Sequence, residues 1–389
     1  MPWQFVRKSS AVLAPDTTEA TPSPRTRFAF KLFRELTGED GSNVFFSPAS
    51  VMLCLAMIQD GAAGETREAM AHALEIGGLD SVDRGYEIAD LKSPFRRREH
   101  VEVTGANSLW CSDRVQVCPA YAAKLWRMYD AQLAALDFGS ADAVQRINAW
   151  INERTKGKIS HIVDSVSPLA AMIAINAIYF KGRWTRPFER ALTRDGLFTT
   201  ATGQKKQLPM MRQSGAYPYY EDRELQAVVL FYEGDMAMHV ILPAERTNPR
   251  QFQHSLSSAA WEARLSRFDS VLGTIQMPRF KLDYRAPLEP ALKALGMERA
   301  FDHERAEFDG IQTDRPPVWI DQVLHRAVAE VNEEGTEAVA STLVEAYCLG
   351  REQRPPRHFQ MIVDHPFFVV IRDEISKTIL FMGWVGDPS

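Results

Sequence analysis

Two stretches of this chain fold back upon themselves within a few residues, and that commits it to antiparallel sheet. "LQAVVLFYE" and "MAMHVILP" are apolar, strand-forming runs separated only by Gly234-Asp235. A glycine-aspartate pair between such runs is a short hairpin turn. "HPFFVVIRDEISKTILFMGWV" predicts a second strand pair around "DEISK", and "GTIQMPRFKLDY" carries a further strand signal. The longest apolar run, "LAAMIAINAIYF", is shorter than the roughly 18 residues a membrane-spanning helix needs and reads as a buried strand.

Helical patterns lie mostly upstream of these strands. In "SPASVMLCLAMIQDGAAGETREAMAHAL", Ser47 is placed to cap a helix that starts at Pro48, with apolar residues at helical spacing and Gly61 and Gly64 breaking it from a second helix. "SADAVQRINAWINERTKGKI" puts Val144, Ile147 and Ile151 on one stripe and stops at Gly157. A further helical segment, "LEPALKALGM", sits among the late strands. Helices early and strands late, without internal repeats, predict a mixed α and β fold with large antiparallel sheets and exclude a doubly wound one.

With 389 residues, 45% hydrophobic and 24% charged, the chain has ample material for a buried core. A net charge of −5 gives no electrostatic reason to expect nucleic acid or an anionic membrane as partner. Arg96, Arg97 and Arg98 are expected to be solvated. Four cysteines make no disulfide framework. Cys54 and Cys111 are expected in the core, Cys348 in an exposed loop, and whether Cys111 pairs with Cys118 is left open by the spacing. Residues 1–24 lack the continuous apolar stretch of a secretory signal and read as a flexible arm ahead of a single domain spanning 25–389.

Catalytic signatures are missing. There is no Gly-x-Ser-x-Gly, no His-Glu-x-x-His and no glycine-rich phosphate loop. "TKGKIS" reads as a helix end. Nine scattered histidines offer no pair at ligand spacing, so neither metal nor cofactor is expected. His325 reads as a satisfied core histidine. The chain is not expected to be an enzyme.

"EEGTEAVASTLVEAYCLG", residues Glu333 to Gly350, is unusual in its small residues. Val339, Leu343 and Tyr347 lie four apart and allow a short amphipathic helix. A strand is equally available, and then Thr336, Ala338, Ala340, Thr342, Val344 and Ala346 share one small, uncharged face while Glu337 and Glu345 fall on the other.

The flanking blocks "DQVLHRAVAEVNEEGTEAVAS" and "DHPFFVVIRDEISKTILFMGWVGDP" resemble the serpin family. So do "NVFFSPASV", "GANSLW", "INAWINERTKGKI", "AINAIYFKGRWTRPF" and "LPMMRQSGAY", in the family's order, from about Phe28 to Pro388. The resemblance implies one domain with three β-sheets, a large and mostly antiparallel central sheet, eight or nine helices, and an exposed reactive-centre loop at about 333–360. It also implies a suicide mechanism, a known instance of strand addition: a target protease cuts the loop, and the loop inserts into the central sheet with the acyl-enzyme attached.

The resemblance places a hinge at Glu333, Glu334, Gly335, Thr336, Glu337, Ala338, Val339, Ala340 and Ser341, and a sheet-opening region at Ser47, Ser50, Asn176, Trp184 and His325. Each of these five is also explained by core packing alone. Counting fourteen residues beyond Gly335 puts the scissile bond at Leu349-Gly350, which suits a chymotrypsin-like or subtilisin-like serine protease. The 31 positions from Gly335 to Pro366 exceed the number in many members, and two steps downstream Arg351 would favour trypsin-like enzymes. A non-inhibitory carrier, chaperone or structural role, or inhibition of a cysteine protease, is the alternative. The expected partner is the protease and the expected state a monomer. Family habit places such a protein outside the cell, whereas the missing signal segment points to the cytoplasm.

Overall fold

The computed structural model describes residues 21–38, 41–312, 317–334 and 358–389. Among them the helices are α1 (Pro24–Leu36), α2 (Pro48–Gln59), α3 (Gly64–Ala73), α4 (Ser81–Lys92), α5 (Pro119–Tyr129), α6 (Ala143–Arg154), α7 (Pro249–Ser255), α8 (Ser258–Leu265) and α9 (Glu289–Leu292). The strands begin with β1 (Val44–Phe46), β2 (Val101–Ser112), β3 (Gln132–Leu136), β4 (Met172–Gly182), β5 (Arg194–Thr199), β6 (Lys205–Glu221) and β7 (Leu225–Tyr232). They continue with β8 (Met236–Pro243), β9 (Asp269–Pro278), β10 (Phe280–Pro287), β11 (Ile320–Val331), β12 (His358–Ile362), β13 (Phe367–Asp373) and β14 (Ile379–Val385).

Both hairpins form. β7 and β8 pair antiparallel with Tyr232 opposite Met236, and Gly234 and Asp235 adopt φ of 68° and 58°, the left-handed conformation such a turn demands. β13 and β14 pair antiparallel around the "DEISK" turn. "GTIQMPRFKLDY" divides at Arg279: β9 joins one sheet and β10 the other.

The larger sheet runs β1-β14-β13-β8-β7-β6-β9-β12, with β5 on β6, and is antiparallel except where β12 lies along β9. Only Tyr219–Glu221 of the long strand β6 reach β7, so two sections of this sheet meet through three residue pairs. Among the described residues there are thus two hydrogen-bonded sheets where the resemblance implied three, because these three pairs join two sections into one sheet. The five-stranded sheet, ordered β10-β11-β4-β2-β3, is mixed, because β11 runs parallel to β4 and β2 parallel to β3.

Alternation along β4 and β11 divides two cores. Met172, Ala174, Ile178, Phe180, Val323, Ala327 and Ala329 face the main core with α1 and α2. Ile173, Ile175, Ala177, Tyr179, Leu324 and Val328 face a second core closed by Ile147 and Ile151 of α6 and by Ile159, Ile162 and Val163 behind it. Burying each of the larger of these aliphatic and aromatic side chains contributes roughly 1.5–3 kcal/mol.

Helix α2 is capped by Ser47, whose Oγ accepts from the Ser50 amide at 3.2 Å, with Pro48 in the first turn. Every residue from Pro48 to Gln59 is buried, so no polar face exists; the helix lies between the sheets and other helices and not at the surface. α6 carries the expected stripe, with Ile147 and Ile151 buried and Gly157 at φ 79° behind its end. α1 starts at Pro24 with Ser23 as its cap, one residue ahead of the domain start expected from sequence.

Cys54, Cys111 and Cys118 are free thiols, the first two buried as expected. The arginine cluster is a correction. Arg96 and Arg97 are exposed, but the Arg98 side chain is 9% exposed and pairs at 2.9 Å with the fully buried Asp373. A carboxylate at that depth needs a cation, and Arg98 also donates to the Gly234 carbonyl at 2.6 Å, tying both hairpin turns together. Among the described residues, no helix is long and apolar enough to cross a membrane.

Candidate functional site

Between β11 and β4 runs a parallel seam, paired from Ile320 opposite Met172 to Ala329 opposite Phe180. β10 flanks it antiparallel on one side and β2 on the other. Midway along, His325 stands opposite Asn176, both on the face turned toward α2.

Ser47, Ser50, Asn176 and His325 are each fully buried. The Ser47 amide donates to His325 Nε2 at 3.1 Å, so the ring proton sits on Nδ1, which donates to Asn176 Oδ1 at 2.5 Å. Asn176 Nδ2 donates to Ser50 Oγ at 2.6 Å and to the Asn107 side-chain oxygen. The N-terminus of α2 is thereby bonded to both strands of the seam. Four of the five residues expected at a sheet-opening region come together here.

Burial holds the His325 imidazole neutral, pushing its pKa down to about 3, against a smaller opposing effect of the Asn176 bond. In the unfolded chain the same ring protonates near its ordinary value of 6.5. Between those values the unfolded state binds the extra proton, so stability falls as pH drops through that window. From pH 7.5 to 4.5, the wild type should lose about 2–3 kcal/mol more stability than His325→Gln, read from urea denaturation at both pH values.

Trp184, the fifth residue, lies beyond the end of β4, stacked on Tyr232 with ring centroids 3.9 Å apart. Its indole donates to the Asn332 carbonyl at 2.8 Å. One residue on, the Glu333 carbonyl accepts from the Phe188 amide at 2.8 Å. The Glu333 side chain is 3% exposed and takes bonds from Thr193 at 2.7 Å and from Arg279 at 2.5 Å. Burial opposes its charge, but those two bonds outweigh it and hold the pKa below the ordinary glutamate value. Glu334 pairs with Arg190. The segment following β4 thus grips the segment following β11.

Of the expected hinge, Glu333 and Glu334 form this fixed end. Gly335, Thr336, Glu337, Ala338, Val339, Ala340 and Ser341, together with Cys348, Leu349, Gly350 and Arg351, lie outside the described residues. Sequence reasoning did not single out Asn107, Thr193, Arg190 or Arg279. Asn107 lies inside one block it did recognise and Arg190 flanks another, but nothing local marks Arg279 as the partner of a glutamate 54 residues away. Among the described residues no cluster of His, Cys, Asp or Glu could hold a metal ion.

The family model for serpins (serine protease inhibitors) matches residues 23–388. Human Serpin B8 is 35% identical over 93% of this chain and 97% of its own length. The leukocyte elastase inhibitor of Bos taurus is 33% identical over 95% of this chain and all of its own. Among solved structures, the thermophilic serpin tengpin in its native state superposes with a TM-score of 0.83, at 26% identity, over 94% of this chain and 93% of that one. Human thyroxine-binding globulin superposes with a TM-score of 0.83, at 25% identity, over 94% of this chain and 98% of its own.

Proposed function

This chain belongs to the serpin family, and we propose that it is an inhibitory member that traps a serine-type endopeptidase as a suicide substrate. The observation that carries this reading is the parallel β11–β4 seam. A chain leaving the end of β11 and turning straight back runs opposite to β11. Since β4 is parallel to β11, the returning strand is antiparallel to both neighbours. One poorer parallel pairing is replaced by two antiparallel ones. The fixed end at Glu333 sits where such a return would start.

The face pattern of the loop supports the same reading. Strand insertion buries one face against the main core, where an unpaired charge costs several kcal/mol. Thr336, Ala338, Ala340, Thr342, Val344 and Ala346 present none. Gly335 supplies the free backbone for a turn that becomes strand. The nucleophile is the protease's own serine, which attacks the Leu349 carbonyl; the Leu349–Gly350 amide breaks, Gly350 leaves as a protonated amine, and Leu349 is held as the serine ester while insertion deforms the oxyanion hole. The inhibitor supplies no catalytic group.

Mixing the intact protein with chymotrypsin-like and subtilisin-like proteases should give an SDS-resistant band of summed mass. Rapid cleavage without such a band for any protease of either class would assign the chain to a non-inhibitory role.

A further inference from the structure

β12 is five residues long, lies at the edge of its sheet and pairs with β9 alone. It is also the first described element after 335–357, so it anchors the downstream end of that segment. Phe359, stacked on Tyr219 with ring centroids 3.9 Å apart, and Met361 bury its inner face, and Gln226 donates to the Gln360 carbonyl at 3.2 Å, but its backbone ladder lies on one side only, so what secures its far end matters.

That end turns into β13 at residues 363–366, and His365 closes the corner. Its Nδ1 lies 2.8 Å from Asp364 Oδ1 and its Nε2 lies 2.8 Å from the Pro243 carbonyl oxygen at the end of β8. A carboxylate and a carbonyl can only accept, so both ring nitrogens must donate, and the geometry is that of an imidazolium. Asp222, before β7, and Glu245, after β8, line the same pocket of about 400 Å³ with Asp364 and His365, and among the described residues no lysine or arginine lines it. The corner's backbone is held separately, Val363 donating to Gln276 and Thr199 to Asp364, each at 2.8 Å.

We propose that His365 is a proton-operated clip: protonated, it ties the end of β12 to β8; deprotonated, it gives up one of its two acceptors and the edge strand loosens. Burial works against the charge, but the bonds to Asp364 and Pro243, with the field of Glu245, outweigh it and raise the pKa above 6.5. A raised histidine pKa stabilises fully below the unfolded value and loses that stabilisation as pH rises through the folded one. The clip is therefore closed under mildly acidic conditions and opens toward alkaline pH. Resting on the inhibitory reading above, this makes the downstream tether of the reactive loop, and so the presentation of Leu349-Gly350 to a protease, responsive to pH.

Amide hydrogen exchange on the full chain tests the clip without reference to inhibition. After correction for intrinsic rates, protection of residues 358–362 should fall about ten-fold between pH 6.0 and 8.5, the change expected for one lost charge-assisted hydrogen bond, while β13 and β14 stay unchanged. His365→Gln should abolish the pH step, and Asp364→Asn should move it to lower pH. A pH-independent β12 in the wild type, or the same step in His365→Gln, would overturn the proposal. Should the variants fail to fold, an NMR titration placing the wild-type His365 ring below 6.5 overturns it equally. Trapping of protease with no pH step in β12 sinks the clip alone; a pH step with no trapping sinks the inhibitory reading alone.

Discussion

A sample nicked once near Leu349-Gly350 is expected to melt at least about 10 °C above the intact protein, since each kcal/mol gained moves the midpoint of a chain this long by roughly 1–2 °C. The increase has a structural source. Intact, the segment is tethered at Glu333, gripped by Thr193 and Arg279, and at β12. Its two ends cannot both stay anchored while it runs the length of the seam. Cut, the upstream part can part β11 from β4 and pair with each, adding ladder bonds on two sides where the intact sheet has one parallel ladder. The uncut protein is then held short of its most stable form by a barrier and not by equilibrium. Differential scanning calorimetry on both forms reads this directly. Equal melting temperatures would mean that the seam does not accept the cut strand, and the inhibitory reading would fall with it.

The same seam shows what sequence carries and what it does not. Hairpins and capped helices were legible because their signals are local: Gly234-Asp235 between two apolar runs, or Ser47-Pro48 ahead of α2. Sheet membership was not. Nothing within "GTIQMPRFKLDY" says that Arg279 separates two sheets, since both halves alternate equally well. Nor did spacing forecast that α2 would be buried all round, because amphipathicity reports a surface, and this helix has none. Arg98 read as a solvated charge for the same reason, its partner Asp373 lying 275 positions away. Around the site, resemblance gathered Ser47, Ser50, Asn176 and His325, and the polar groups of a buried seam explain why they meet: each needs a partner at zero exposure. Asn107, only half-buried, joins that network by accepting from Asn176, in a block read only as a family signature.

On the inhibitory reading, Thr336→Arg should turn the chain from an inhibitor into a substrate. On the strand pattern, position 336 is the first inward-facing residue after Gly335, so it must enter the seam before any other. An arginine there meets Phe180, Ala329 and Val331 on the inward face at the end of the seam it enters, the buried Glu333 at that end is already held by Thr193 and Arg279, and burying the ion unpaired costs several kcal/mol. If about 3 kcal/mol of that cost falls on the insertion barrier, insertion slows by about 100-fold, since each 1.4 kcal/mol is a factor of ten. Hydrolysis of the ester is untouched by the substitution and wins the competition. The SDS-resistant band should largely vanish, with cleaved inhibitor and active protease in its place, while the intact variant melts as the wild type does. Glu337→Arg supplies the control, because at the end of the seam the face away from the main core is open, Glu330 of β11 being exposed there, so a charge at this next position stays in solvent and should leave trapping within a few-fold of normal. Trapping by Thr336→Arg at an unchanged rate, or an equal loss in both variants, would show that entry into the seam does not depend on which face of this segment is turned inward.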